Sequence, residues 1–445
     1  MESRSVFGYA RPEDDVYIGY RVDGEGPIDI AFQLDWPGNI DMDWLDPAFE
    51  PWLRSLSSFA RLIVHDHRGV GVSSRNVELP NLETRVADLL VVLNATAASK
   101  PVLVGMFSSG AVNVLLAALR PSLPRALVWL EPMAAFGQAG GYAWGRSKEE
   151  LELERGFLRL WGTQDYAKVM FEQEAAAGNV LPPEMFDSLP MSTRNACTPD
   201  VAAKLAEMWY ETDVSGVLEA VNVPTLLLVH EDREGSVKEA EYIASRMPAA
   251  EVRRMPGSAW TVEEAAVWAD EIRAFVGVAP KSLQTDTVLS TVLFTDIVGS
   301  TERQAALGDR GWKDLVERHH ATIRTSLEHW HGFENDTAGD GFYATFDGPA
   351  RAIRCALEIA EHVRDLGIEV RAGVHTGECE LIDGKAGGIT VSTGARIAAL
   401  AGASQVLISQ TVKDLVAGSG LSFEEAGEHE LKGVPDRWRL YRAVG

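Results

Sequence analysis

The sequence predicts two folds in one chain: an α/β domain built on a parallel sheet, then an α+β domain of the ferredoxin-like kind. Three observations predict this. Before residue 235, five short and nearly continuous apolar segments alternate with helical patterns, as in a parallel sheet covered on both faces. A polar, turn-rich stretch, Gly277-Val-Ala-Pro-Lys-Ser-Leu-Gln-Thr-Asp286, reads as a linker. Beyond it the order becomes strand, long helix, two strands, helix, strand, which suits helices on one face of a largely antiparallel sheet.

In chain order, the first domain (1–279) carries candidate strands at Ile28–Gln33, Ala60–His65, Pro101–Gly105, Arg125–Leu130 and Val223–His230. Between about Ala135 and Val221 the pattern is almost wholly helical and rich in Trp, Tyr, Phe and Met. An insertion there sits over the sheet as a cap, and its aromatic residues are expected mainly to pack. The linker spans 280–288 and the second domain 289–445. In that domain a strand (Val288–Thr295) leads to a helix over about Glu302–His329, and two strands flank Gly339-Asp340-Gly341. A helix (Ala350–Leu366) and a strand (Glu369–His375) follow.

At 445 residues the chain is long enough for two or three domains. A hydrophobic content of 46% with 24% charged residues describes a folded protein. No apolar run approaches the ~20 residues that span a bilayer, and the N-terminus lacks a signal-peptide core. The three cysteines are far apart and without metal-ligand spacing, so a reduced, cytoplasmic setting without a membrane partner is expected. A net charge of −24 argues against nucleic acid as a partner.

The chemistry concentrates in Phe294-Thr-Asp-Ile-Val-Gly-Ser-Thr301 and Asp336-Thr-Ala-Gly-Asp340-Gly-Phe342. Each places an aspartate at the end of an apolar strand, so that Asp296 and Asp340 can meet and hold divalent cations carrying a nucleoside triphosphate. Mg²⁺ takes hard oxygen ligands, usually one or two carboxylates plus substrate phosphates. The turn Gly299-Ser300-Thr301 opens a helix whose free N–H groups can receive phosphate. Taken singly, either aspartate could equally cap a turn. The pairs His319/His320 and His329/His331 lack a carboxylate or thiol at matching helical spacing, and are read as surface or packing histidines.

With Arg371-Ala-Gly-Val-His-Thr-Gly377, Thr393-Gly-Ala-Arg396 and Leu431-Lys-Gly-Val434, these motifs make residues 289–445 resemble the class III nucleotidyl cyclases over that whole catalytic domain. The resemblance implies two Mg²⁺ or Mn²⁺ ions per site, with Asp296, Ile297 and Asp340 as the metal set. It implies attack of a ribose 3′-hydroxyl on the α-phosphate by two-metal displacement. Arg396 matches the arginine that stabilises the transition state, and Lys432 the lysine reaching the triphosphate tail. A head-to-tail homodimer sharing these groups is implied.

The chain departs from the family at three places. ATP-using members carry lysine where this chain has Asp336, aspartate where it has Lys385, and asparagine where it has Ser392. An aspartate suits the N1–H and amino donors of guanine, and an ammonium suits its O6; a small shift of either side chain restores a fit to adenine. Relatives of this architecture with altered base readers still form cAMP, so conversion of ATP to cyclic AMP is expected, with GTP use or a pseudo-cyclase as alternatives. Serine is shorter than asparagine, and losing one such positioning group commonly costs ~10²–10³-fold; a slow enzyme is expected.

In the first domain, His65-Asp-His-Arg68-Gly-Val-Gly71-Val-Ser73 resembles the Asp-x-Arg-Gly-x-Gly-x-Ser turn of α/β-hydrolases. Val104-Gly-Met-Phe-Ser-Ser-Gly110 falls where their nucleophile elbow should be. Aligned on Gly105 the nucleophile position is Phe107; slid by one place it is Ser108. Asp232 is the expected acid, and Trp260 stands in Pro256-Gly-Ser-Ala-Trp260 where the family has histidine. Without an imidazole the triad logic fails. The expectation is a degenerate hydrolase domain that regulates the cyclase through a small-molecule ligand or partner.

Overall fold

Apolar runs pair into two separate sheets in the computed structural model, which describes residues 5–12, 15–34, 38–138, 142–176, 181–256, 262–278, 287–382 and 385–444. The chain divides into two compact units, residues 1–284 and 285–445.

The first unit contributes strands β1 (Val6–Ala10), β2 (Ile18–Asp23), β3 (Asp29–Gln33), β4 (Arg61–His65), β5 (Val102–Met106), β6 (Ala126–Leu130), β7 (Thr225–His230) and β8 (Ala250–Met255). Their order is β1-β2-β4-β3-β5-β6-β7-β8. β2 pairs antiparallel with β1 and β4, and the other neighbours are parallel. Both faces are covered, as nearly continuous apolar strands require. On one face Phe32, Val104 and Leu228 pack with Trp52 and Trp268, two fully buried indoles 6.0 Å apart, edge to face. On the other, Ile63 packs with Val92 of helix Leu82–Ala95. Between β6 and β7 lies the cap, helices Lys148–Phe157, Gln164–Ala176, Pro183–Ala196 and Pro199–Glu211. Trp161, Tyr166, Leu189 and Trp209 form its own core.

The second unit contributes β9 (Thr287–Ile297), β10 (Phe333–Ala338), β11 (Gly341–Phe346), β12 (Val370–Ile382), β13 (Lys385–Gly387), β14 (Val406–Ser409), β15 (Ser422–Glu430) and β16 (Arg437–Val444). The order is β10-β11-β9-β12-β14-β16-β15, with β13 on β12. All pairs are antiparallel except β12 with β14. β9 begins at Thr287, inside the stretch the sequence assigns to the linker.

Two corrections concern helices. Segment Ser300–His329 is not continuous: Gly308 breaks it at φ 68°, ψ 168°, a conformation glycine adopts without steric cost. Nor do all helices share one face of the sheet. Leu293 packs with Ile323 and Ile353 of helices Ser300–His329 and Pro349–His362. Its neighbour Val292 points the opposite way in the strand, towards Gly394 of helix Ile389–Leu400. That helix lies so close that a Cβ on Gly373 would stand 2.2 Å from the Ala398 nitrogen, which explains the glycine in the Arg371-Ala-Gly motif.

The three cysteines are buried and free. Among the described residues, no helix is long and apolar enough to cross a membrane.

Candidate active site

Two strand ends build the carboxylate pair. Asp296 is the last residue but one of β9 and points away from the core that holds Leu293 and Ile297. Asp340 sits in the β10–β11 turn after Gly339, whose φ is 65°. The Ile297 N–H donates to Asp340 Oδ2 at 3.3 Å. Burial pushes the Asp340 carboxyl above its usual range, the charge of Asp296 adds to that, and a hydrogen bond with Ser300 opposes it. Asp296, Ile297, Asp340 and Ser300 therefore converge. Two facing carboxylates carry a charge excess that a hard divalent cation relieves. Among the described residues no third His, Cys, Asp or Glu joins them, a donor set suited to an ion that takes its other ligands from phosphate and water.

Arg371 lies opposite Asp296 in the β9–β12 register. Its Nε and Nη2 both donate to Asp296 Oδ2, at 3.1 and 2.5 Å, and its Nη1 donates to the Ala399 carbonyl at 3.3 Å. The sequence gives Arg371 no role beyond its motif; only the strand register shows it holding the first aspartate. Asp296 is 34% exposed on its side chain, so the pair is reachable from solvent and is worth little to stability.

Helix Ser300–His329 starts after Gly299 (φ 70°), and Thr301 is exposed at its first turn. Asp336 is exposed, accepts from the Thr337 N–H at 2.9 Å, and is in register with Tyr343. The Tyr343 ring stacks on Phe294 at 4.6 Å and 2°. Asp336, this aromatic pair and Asp296 share one face of the sheet. Lys385 opens β13, in register with Ile382, and its side chain lies outside the described residues. Ser392 and Arg396 are both exposed, one helical turn apart on Ile389–Leu400. Lys432 is exposed in the β15–β16 turn. No described contact joins Ser392, Arg396 or Lys432 to the carboxylate pair. His319 is fully buried, and burial pushes it down to about 4, so it packs as a neutral ring.

At the tip of β5, Phe107 has φ 45°. The positive φ that an elbow would need therefore falls at Phe107 and not at Ser108. A bulky residue in this region costs roughly 1–3 kcal/mol. Ser108 is buried in the following turn. Gly110 permits that turn, because a Cβ there would stand 2.0 Å from Trp129 Nε1, which donates to the Phe107 carbonyl at 2.6 Å. Asp232, the acid that the sequence offers, is exposed. A buried acid stands just past β6: Glu131, with φ 46°, is held by His230 Nδ1 at 2.5 Å. Trp260 lies outside the described residues. The Asp66–Ser73 turn is structural: Asp66 accepts from the Ile40 and Val72 N–H groups at 3.0 and 2.8 Å, and Arg68 is paired with buried Asp88.

Burial raises several acids of this unit above their usual range, among them Asp43, Asp46, Asp213 and Glu239. Burial pushes Glu239 up to about 7, and Tyr142 donates to it at 2.6 Å. The same group ionises near 4.5 when unfolded. The folded chain therefore binds more protons between those values, and Glu239's contribution to stability falls as pH rises through that window, by about 1.4 kcal/mol per pH unit. Glu239→Gln retains an acceptor for Tyr142 and removes the titration. Its melting temperature relative to the parent protein is expected to rise from pH 5 to pH 7; parallel profiles would exclude Glu239 as a source of the dependence.

Residues 282–442 match the family described as the adenylate and guanylate cyclase catalytic domain, and the second unit is such a domain. An uncharacterized protein of Mycobacterium tuberculosis is 36% identical over 100 residues, 22% of this chain and 35% of that protein. The receptor-type adenylate cyclase GRESAG 4.3 of Trypanosoma brucei brucei is 26% identical over 203 residues, 34% of this chain and 16% of that one. The chain thus spans about 35% or less of the length of these relatives. An esterase from Exiguobacterium antarcticum is 16% identical with a TM-score of 0.52, covering 61% of this chain and 100% of its own, a likeness of fold alone and larger than the second unit could supply.

Proposed function

We propose that the protein is a nucleotidyl cyclase that converts ATP to 3′,5′-cyclic AMP and pyrophosphate, with active sites shared across a homodimer and a catalytically silent first unit that regulates them. The meeting of the Asp296 and Asp340 carboxyls, with Asp340 on the Ile297 N–H beside an open helix start, carries this reading. Asp296, Asp340 and Ile297 would hold Mg²⁺ or Mn²⁺. Bound there, such ions supply a more acidic ribose 3′-hydroxyl and neutralise charge on the pyrophosphate.

The chain's own groups do the rest. The N–H groups of Gly299, Ser300 and Thr301 receive phosphate at the positive end of the helix. Arg396 steadies charge that develops on the α-phosphate, Ser392 faces the ribose, and Lys432 meets the triphosphate tail. The exposure of these last three supports a site completed by a second chain. In the first unit, Phe107 at the elbow and the exposed Asp232 support a role without hydrolysis.

A GTP-using reading is favoured by Asp336, an exposed carboxylate on the aromatic face, with Lys385 as its counterpart. Purified protein incubated with Mn²⁺ and either ATP or GTP, with products identified by mass spectrometry, tests both. Cyclic AMP in excess supports the proposal, and cyclic GMP in excess supports the second reading. Bound but unconverted nucleotide would make the domain a pseudo-enzyme.

A further inference from the structure

We infer that the first unit binds a neutral, largely apolar small molecule bearing a hydrogen-bond acceptor, such as an ester or ketone carbonyl, in the cavity between the cap helices and the tip of β5. The inference rests on the proposal above only for its regulatory consequence; the site itself stands on the cavity. That cavity measures about 520 Å³, within the range of small-molecule sites. Met106, Phe107 and Phe136 wall it on the sheet side, and Met170, Leu189 and Trp209 on the cap side. This lining suits a molecule with a long apolar or aromatic body.

Its polar groups narrow the chemistry. Asp43 and Asp46 reach the cavity from the segment before helix Glu50–Ser57 and are both buried. Asp46 is occupied by the Ala48 N–H at 2.9 Å. Burial, and then the neighbouring Asp66, hold the Asp43 carboxyl well above the usual range against an opposing Asn39 N–H, which favours its protonated, donating form. The cation lining the cavity, Arg146, is paired with Glu154 and stacked on Phe136 at 4.8 Å. An anionic ligand would give up its hydration among apolar walls where the one described lining arginine is already engaged, a cost that a neutral acceptor does not carry. No histidine, cysteine or lysine is among the described lining residues, so an ester held there meets no imidazole, thiol or amine to activate its hydrolysis.

The test uses the full-length protein and the neutral fluorophore N-phenyl-1-naphthylamine, displaced by methyl decanoate or by decanoate at pH 7.5. Saturable binding at one site per chain is expected, with the ester displacing the probe at least about tenfold more effectively than the anion, the scale of one hydrogen bond. Leu189→Trp and Met170→Trp, from separate cap helices, should each weaken probe binding tenfold or more by filling the cavity. Asp43→Ala should weaken the ester's displacement about tenfold while the probe still binds. Absence of saturable binding, unchanged binding in both tryptophan variants, or equal displacement by decanoate would overturn the inference. Cyclic-nucleotide formation followed in the same samples separates the two ideas. Binding that leaves the rate unchanged keeps the site and removes regulation, while loss of the site leaves the cyclase proposal intact.

Discussion

Asp296→Ala is expected to reduce cyclic-nucleotide formation by at least about 10³-fold while leaving the melting temperature nearly unchanged. Both halves follow from the geometry. Asp296 is partly exposed and its one described ion pair is with Arg371, so truncation removes a solvent-screened contact. The same change removes one of two carboxylates that face each other, and among the described residues no third acid is nearby to replace it. A stability loss above about 2 kcal/mol, or activity within tenfold of the parent protein, would move the catalytic role away from Asp296. Mn²⁺ binding measured by calorimetry gives an independent readout, and should weaken in the variant without any turnover.

Central strands were legible in the sequence because they are buried on both faces: every residue of β5, β6 and β7 is buried. Edge strands were not. β8 carries Glu251, Arg253 and Arg254 among its six residues, and only Met255 is buried. β15 holds Glu424, Glu425, Glu428 and Glu430, a run that reads as polar loop until β16 brings Arg442 and Arg439 across to Glu424 and Glu425. Cross-strand pairing of opposite charge is invisible without register.

The same limit applied to the site. Asp296 and Asp340 stand out at strand ends, whereas the role of Arg371 depends on its lying opposite Asp296. Phe107 and Ser108 could not be told apart by spacing, because the strained φ that marks an elbow is a property of the folded backbone. Glu131 escaped for that reason too: its burial depends on β7 bringing His230 beside it. The face occupied by helix Ile389–Leu400 depended on Gly373 and Gly394 admitting close approach, which periodicity does not report.

That helix carries the second large expected effect. Ser392 and Arg396 form an exposed stripe continued by Ile389 and Leu400, which are 56% and 44% exposed. An arginine that no described residue pairs with, beside apolar residues in solvent, is what a group working for a second chain looks like in a single one. Arg396→Ala is accordingly expected to slow turnover by about 10²–10³-fold, the scale of one lost transition-state donor, with little change in stability. A partner-supplied Arg396 makes a sharper demand. In an equal mixture of Asp296→Ala and Arg396→Ala chains, random pairing makes about half the dimers mixed, each with one site holding both intact groups, so about a quarter of the parent activity should return. If each site drew both groups from its own chain, no mixed dimer would contain an intact site and the mixture would stay as inactive as its components. Recovery of activity on mixing therefore separates a shared site from a self-contained one, without requiring any knowledge of which purine the enzyme prefers.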